Sequence, residues 1–150
     1  MHNRNPKLHL ATLPLVLLLA LAGSASAQSN VTVIVSPDVE LTAVSRAEIA
    51  RIYLGKKTFW DSGARITPSL PDEKSPLSES FLEESVRTTV RQYRAYWKRR
   101  LFSGQGTAPK TFASSRQVVD YVTNNPGAIG VIETSSTDNR VKVIELQDNP

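Results

Sequence analysis

The chain has 150 residues, a formal net charge of +4, two histidines, one methionine and no cysteine. Without cysteine it forms neither disulfides nor thiolate metal sites, and a chain of this length suits a single small domain.

The first thirty residues predict a secretory signal peptide. Arg4 and Lys7 give a positive start, an apolar run follows over residues 10–23, and Ala25-Ser26-Ala27 forms a small-residue cleavage site. The run is shorter than the ~20 residues that a membrane-spanning helix needs, and Pro14 interrupts it. We therefore expect cleavage near Ala27 and no membrane span afterwards.

Removal of residues 1–27 leaves residues 28–150 as a single exported domain. His2, His9 and Met1 leave with the signal, so imidazole bases, Ser-His triads and most zinc or copper sites are excluded. Two of the 18 basic residues leave as well, and 16 then face 14 acidic residues. This near balance disfavours nucleic-acid binding. We expect no metal and no cofactor.

Four strands are predicted from short runs rich in β-branched residues. They are residues 31–35 (VTVIV), 65–70, 128–133 (AIGVIE) and 141–146 (VKVIEL). Pro68 places the second strand at a sheet edge or at a strand end, because proline has no N–H to donate.

Four helices are predicted between these strands, each with a serine or threonine cap. The caps are Ser45 in a capping box with Glu48, Ser75 followed by Pro76, the Thr88-Thr89 pair, and Ser114. Gly55 ends the first helix. Because helices between strands imply crossover connections, the sequence predicts an α/β fold with a small mixed sheet of about four strands and about four flanking helices.

The stretch AYWKRRLFSGQGTAPK, residues 95–110, joins basic and aromatic residues to a Gly-x-Gly sequence. A dinucleotide-binding GxGxxG follows a strand, whereas this one follows a predicted helix, and the GK[ST] of a Walker loop is absent. Trp97 and Leu101 continue an apolar stripe and are predicted to point inward. The stretch is then a helix end followed by a loop. Alternatively, it is part of a basic face, formed by Arg91, Arg94 and Lys98, that docks onto an acidic partner.

The stretch PDEKSPLSESF, residues 71–81, is a candidate anion site. A helix N-terminus with Ser75 and Ser78 offers N–H groups, two hydroxyls and the positive end of the helix dipole. The alternative is an ordinary helix cap, because three acidic residues and only one cation are adjacent. These four are Asp72, Glu73, Glu79 and Lys74. Adjacent Asp72 and Glu73 do not form the facing pair of a glycosidase, and no enzyme is predicted.

Several blocks, taken together, resemble the phosphate-binding periplasmic proteins of ABC phosphate importers. The blocks are IARIYLGKKTFW (49–60), ITP (66–68), YWKRRLFSGQGTAPK (96–110) and VVDYVTNNPGAIGVIE (118–133). The resemblance implies one lobe of the two-lobed type II periplasmic-binding fold. It also implies a non-enzymatic receptor in the periplasm with phosphate or another oxyanion as its nominal ligand.

The resemblance also implies site residues, since the family's anion motif can be matched by anchoring on Phe81. Glu73 then stands at the acid of the motif and Ser75 at its serine, and Ser78 is added as the second hydroxyl at the same helix cap. The arginine, glycine and threonine of the motif are replaced by Pro71, Pro76 and Leu77.

Without that arginine and without a second lobe, we expect millimolar or weaker binding unless a homodimer or an envelope protein supplies the other wall. The alternative function is an accessory module without a ligand, which docks onto an envelope protein through Arg91, Arg94 and Lys98.

Overall fold

The computed structural model describes residues 30–148, so the predicted signal peptide lies outside the described residues. The strands are β1 (Val31–Val35), β2 (Ala43–Ser45), β3 (Thr67–Pro71), β4 (Lys110–Phe112), β5 (Ala128–Glu133) and β6 (Lys142–Gln147). The helices are α1 (Arg46–Tyr53), α2 (Pro76–Phe81), α3 (Val90–Phe102) and α4 (Ser115–Asn124). A π-helical turn, Leu82–Val86, continues α2, and a 3-10 turn, Thr134–Ser136, follows β5. Over residues 30–148 no helix has the length and apolar character needed to cross a membrane.

The six strands form one mixed sheet in the order β2-β6-β1-β5-β3-β4. Strand β1 is antiparallel to both of its neighbours, and the other five strands run parallel to one another. The ends of these five strands therefore meet at one side, called here the carboxyl edge, and their starts meet at the amino edge. Ligands of open α/β sheets bind outside the carboxyl ends of parallel strands, which directs attention to the carboxyl edge.

Helices cover both faces of the sheet. Val33 and Val35 of β1 face the cluster formed with α1, α2 and α3, whereas Ile34 between them faces α4. This alternation is the period of two that a strand buried on both faces requires. The result is a three-layer α/β domain, which confirms the predicted fold class.

Aromatic residues of α3 hold the end of α1. The Tyr93 hydroxyl and the Trp97 indole N–H both donate to the carbonyl of Tyr53, at 3.0 and 3.2 Å, and the Tyr96 hydroxyl donates to that of Leu54 at 2.6 Å. These carbonyls belong to the last turn of α1, which has no intrahelical partners for them. Burial raises the pKa of Tyr53 and of Tyr93 well above the ordinary tyrosine value.

The predicted helix caps are largely confirmed. Ser75, Thr89 and Ser114 each accept the N–H three residues onward, and Thr89 completes a capping box with Gln92. Ser45 accepts the N–H of Glu48, but the Glu48 carboxylate pairs with Lys57 instead of returning to the cap.

The Gly-x-Gly stretch is a helix end and a loop, as the first of its two interpretations predicted. Gly104 has a φ of 69°, its N–H donates to the carbonyl of Leu101, and the N–H of Gln105 donates to that of Arg100. This pair of bonds is the Schellman arrangement, which ends α3.

Two strand predictions needed correction. Strands β2 and β4 have three residues each and were missed, because so short a run shows no alternation to detect. Pro68 is the second residue of β3, which confirms a strand end, but β3 lies between β5 and β4 and is not at the sheet edge. The missing N–H is tolerated since only Ser69–Pro71 pair with β4.

The inward position predicted for Leu101 is wrong, because its side chain is 52% exposed. Helix α1 ends level with Trp97: a Cβ added at Gly55, directly after α1, would lie 2.7 Å from the Trp97 ring. Leu101 lies one turn beyond that contact, where α1 no longer covers α3.

Candidate functional site

The predicted anion site lies at the carboxyl edge, in the turn that links β3 to α2. The N–H of Asp72 donates to the carbonyl of Phe112 at the end of β4, at 2.8 Å. The side chain of Asp72 in turn accepts the N–H of Lys74 at 2.9 Å, and its carbonyl accepts the N–H of Ser75. The turn is therefore fixed by backbone bonds before any ligand is considered.

The two predicted serines share a hydrogen-bonded chain. Ser75 caps α2 by accepting the N–H of Ser78 at 3.2 Å, and its hydroxyl lies 3.1 Å from that of Ser78. Ser78 is fully buried, and its hydroxyl donates to the carbonyl of Pro71 at 3.0 Å. The structure therefore places both serines together but uses the Ser78 hydroxyl to tie α2 to β3.

Few backbone donors remain in the first turn of α2. The N–H groups of Ser78 and Glu79 are engaged by Ser75, and Pro76 has none. The N–H of Leu77 therefore remains as a donor in this turn. A single N–H replaces little of the hydration shell of a phosphate dianion.

Glu73 and Arg94, which the sequence assigned to separate roles, form an ion pair. The Nε of Arg94 on α3 lies 2.6 Å from Oε2 of Glu73, with the two side chains 45% and 25% exposed. Glu73 stands two residues before the cap Ser75. The structure thus brings an arginine to the turn whose own sequence lacks one.

The other two predicted docking residues stay on the outer surface of α3. Arg91 and Lys98 are exposed, and Phe102, 82% exposed, follows at the spacing that continues their helical stripe. Sequence reasoning missed Phe102, although the spacing of three and four residues through Ala95 predicts a shared face. Glu79 and Glu83 line a surface groove together with Arg91 and Arg94, so acidic groups offset the first half of this stripe.

A second cavity at the carboxyl edge does not suit an anion. It has a volume of about 390 Å³ and lies between α2 and the ends of β1 and β5. Glu84 and Glu133 line it, and no lysine or arginine does. Among residues 30–148 no cluster of three or more metal-ligating side chains is found either.

Comparisons with known proteins find the same fold in phosphate receptors. No protein-family model and no curated protein matches the sequence. Solved structures do match: PstS from Borrelia burgdorferi has a TM-score of 0.59 at 18% identity, over 80% of this chain and 48% of that chain. A structure from Clostridium perfringens with bound phosphate, named as a phosphate ABC transporter substrate-binding protein by assignment, has a TM-score of 0.63 at 20% identity. The match covers 77% of this chain and 44% of that chain. An ABC-type phosphate transport receptor from Vibrio cholerae gives 0.60 at 19%, over 77% and 46%.

This likeness shows the fold of the chain and how much of each matched structure the chain spans. The chain spans less than half the length of each of these three structures. Two of the three carry names that state a role, a phosphate ABC transporter substrate-binding protein and an ABC-type phosphate transport receptor. The resemblance in sequence blocks and the likeness to these structures therefore agree on the same α/β fold.

Proposed function

We propose that this chain is an exported, non-enzymatic receptor lobe that binds phosphate or another oxyanion weakly at the turn preceding α2. The observation that carries the proposal is the Arg94–Glu73 ion pair. The short helix α2 alone would offer too few donors. With Arg94 beside it, the turn gains the guanidinium whose planar fork matches the oxygens of a phosphate.

The ligand groups divide the work by their chemistry. Nε of Arg94 is held by Glu73, which leaves the terminal nitrogens of the guanidinium to donate to the oxyanion. Leu77 contributes its N–H, and Ser75 contributes its hydroxyl once the hydrogen bond that it donates to Ser78 is released. Glu73 accepts a hydrogen bond from a protonated oxyanion. Ser78 acts through Ser75, because its own hydroxyl is bound to Pro71.

The affinity expected from this arrangement is low. A dianion gives up its hydration shell only to a nearly complete set of donors, and this turn lies open on one side. Millimolar binding follows unless a homodimer or an envelope protein covers the open side. The word phosphate in the names of the Clostridium and Vibrio structures supports the ligand class. The periplasmic location is what the sequence resemblance implies.

The line width of the ³¹P NMR signal of inorganic phosphate tests this proposal at the millimolar affinities expected. We expect saturable broadening that arsenate competes away, loss of most of it in Arg94→Gln, and retention in the matched control Arg91→Gln. Equal broadening in both variants would show that general surface charge, not the Arg94 turn, attracts the anion.

A second candidate function is docking onto an acidic envelope partner through α3, and Phe102 favours it. Helix α3 contains no acidic residue, and the exposed stripe of Arg91, Ala95 and Lys98 ends at this exposed ring. Aromatic residues and arginine are both enriched at protein interfaces.

The docking candidate is tested by a photo-crosslinking residue placed at Ala95 in living cells. One discrete crosslinked product is expected, and the changes Lys98→Glu and Phe102→Ser should remove it. A product that persists in both variants, or that forms equally from a crosslinker at Asn124 on α4, would contradict docking through α3.

A further inference from the structure

A groove of about 180 Å³ lies at the amino edge, at the other end of the sheet from α2. Its walls are the end of α1, the start of β3 and the loop after α3, and it is called here the amino-edge groove. Trp97 and Tyr121 contribute ring surfaces, and Ile52, Ile66 and Pro68 add apolar contacts. The predicted oxyanion site contributes none of these residues.

Three cations line the amino-edge groove, and no acidic residue does. Lys57 is already held by Glu48 and by Asp61, the latter at 3.1 Å. Arg65 and Lys110 form no ion pair with any carboxylate in the part of the chain that the structure describes. The Lys110 ammonium lies over the Tyr121 ring, 4.9 Å from its centroid. A positive charge therefore lies directly beside an aromatic surface in this groove.

The end of α1 and the loop that follows α3 border this groove, and the free carbonyls of a helix end would normally repel an anion. At α1 the carbonyls of Tyr53 and Leu54 accept the hydroxyl and indole donors of α3. At α3 the carbonyls of residues 99–101 accept the N–H groups of residues 103–105. Since these carbonyls are engaged, the unpaired cations dominate the charge of the groove.

An unsatisfied hydroxyl belongs to the same wall. Thr67 lines the groove, and its Oγ1 is buried without a hydrogen-bond partner among the described residues. Buried polar groups are nearly always hydrogen-bonded, so this one is a donor without an acceptor.

We infer that the amino-edge groove binds a small carboxylate that carries a flat apolar body. The guanidinium of Arg65 can take a carboxylate through two parallel hydrogen bonds, and Lys110 adds a second charge. The rings of Trp97 and Tyr121 pack against the apolar body. Phosphate fits less well, because the apolar floor would strip its hydration shell without replacing it. The inference does not depend on the oxyanion site.

The test is a titration of the ¹⁵N-labelled protein with benzoate at constant ionic strength, followed by amide and indole chemical shifts. Saturable shifts are expected at the Trp97 indole N–H and at the amides of Gly55 and Gly106. Acetate lacks the ring and benzyl alcohol lacks the charge, so each is expected to bind about tenfold more weakly or worse.

Two exposed lysines give a matched pair of variants. Lys110→Gln should weaken benzoate binding about tenfold, the effect of one charge-assisted hydrogen bond, whereas Lys98→Gln on the outer face of α3 should change it less than about twofold. The inference is overturned if both variants lose the same affinity, if benzyl alcohol binds as well as benzoate, or if no saturable shift occurs at these groups.

Discussion

At the carboxyl edge of the sheet, the side chains of Glu73, Ser75 and Ser78 all have partners within the chain. At the amino edge, the Thr67 hydroxyl has no partner among the described residues, and Arg65 and Lys110 face no described carboxylate. The carboxyl edge has the position of a ligand site, but most of its hydrogen-bond donors are already bound within the chain. The amino edge has cationic side chains that form no ion pair with a described carboxylate.

This difference shows why a helix N-terminus is a weak guide to binding by itself. The cap, the short link to β3 and the proline at the first helical position each consume or remove a donor of the α2 turn. What remains for a ligand is the N–H of Leu77 and the guanidinium of Arg94, a residue distant in sequence.

The largest effect is expected at Gly127, which fixes the amino edge. Gly127 has a φ of 76°, and a Cβ added there would lie 2.3 Å from the carbonyl oxygen of Arg65. Gly127→Ala should therefore lower the free energy of unfolding by about 3 kcal/mol or more. Gly63→Ala is the control, because Gly63 also has a positive φ but nothing within 4 Å, and should cost only about 1–2 kcal/mol. Equal losses in urea unfolding would contradict the close contact.

The next largest effect is a loss of stability at high pH. Burial raises the pKa of Tyr53 and of Tyr93, so the stability they confer is complete below the unfolded-state value near 10 and is lost as pH rises above it. Each can contribute a slope of up to about 1.4 kcal/mol per pH unit, and the raised pKa of Lys57, held by Glu48, acts in the same direction.

Urea unfolding at several pH values from about 8 to about 11, a range that includes the ordinary tyrosine pKa, measures this slope. Tyr93→Phe should make the slope shallower, whereas Ser78→Ala removes a hydroxyl that does not titrate and should leave the slope unchanged. A slope that is the same in Tyr93→Phe would contradict the burial of the Tyr93 hydroxyl.

A smaller effect is expected from Ser78, which separates a structural from a binding role. Ser78→Ala leaves the buried carbonyl of Pro71 without its donor and should lower the free energy of unfolding by about 1–3 kcal/mol. Ser80, two residues further along α2 and only half-buried, is the control, and Ser80→Ala should cost under about 0.5 kcal/mol. A neutral Ser78→Ala would show that the hydroxyl is not committed to the fold.

The smallest stability effect is expected from Arg94. Its pair with Glu73 is partly exposed to solvent, so Arg94→Gln should lower the free energy of unfolding by less than about 1 kcal/mol. Arg91→Gln, which removes the same charge from the same helix, should be indistinguishable from wild type. A loss above about 2 kcal/mol in Arg94→Gln would mean that the pair is structural.

The sequence predicted the layers of the fold, because these depend on local signals. The β-branched runs became β1, β5 and β6, and Ser75, Thr89 and Ser114 begin helices as their side-chain chemistry requires. Three-residue strands carry too little pattern to be seen. The exposure of Leu101 depends on where α1 ends beside α3, which no single segment encodes.

The geometry of the two candidate sites is harder to predict, because it depends on contacts between distant segments. Glu73, Ser75 and Ser78 are close in sequence and were found together. The pairing of Glu73 with Arg94 spans 21 residues and was not predicted. The amino-edge groove is formed by Arg65, Trp97 and Lys110, which belong to separate elements. These residues lie within or next to the sequence blocks that resemble the phosphate-binding family, and in the sequence those blocks indicated only structural roles.

The most direct test of the account is a ¹⁵N chemical-shift map of the protein titrated with inorganic phosphate at constant ionic strength. Saturable shifts at Leu77, Ser78 and Nε of Arg94, without shifts at Thr67 and Gly106, are the predicted result. Shifts confined to the amino edge, or no saturable shift at the α2 turn, would contradict an oxyanion site at the carboxyl edge.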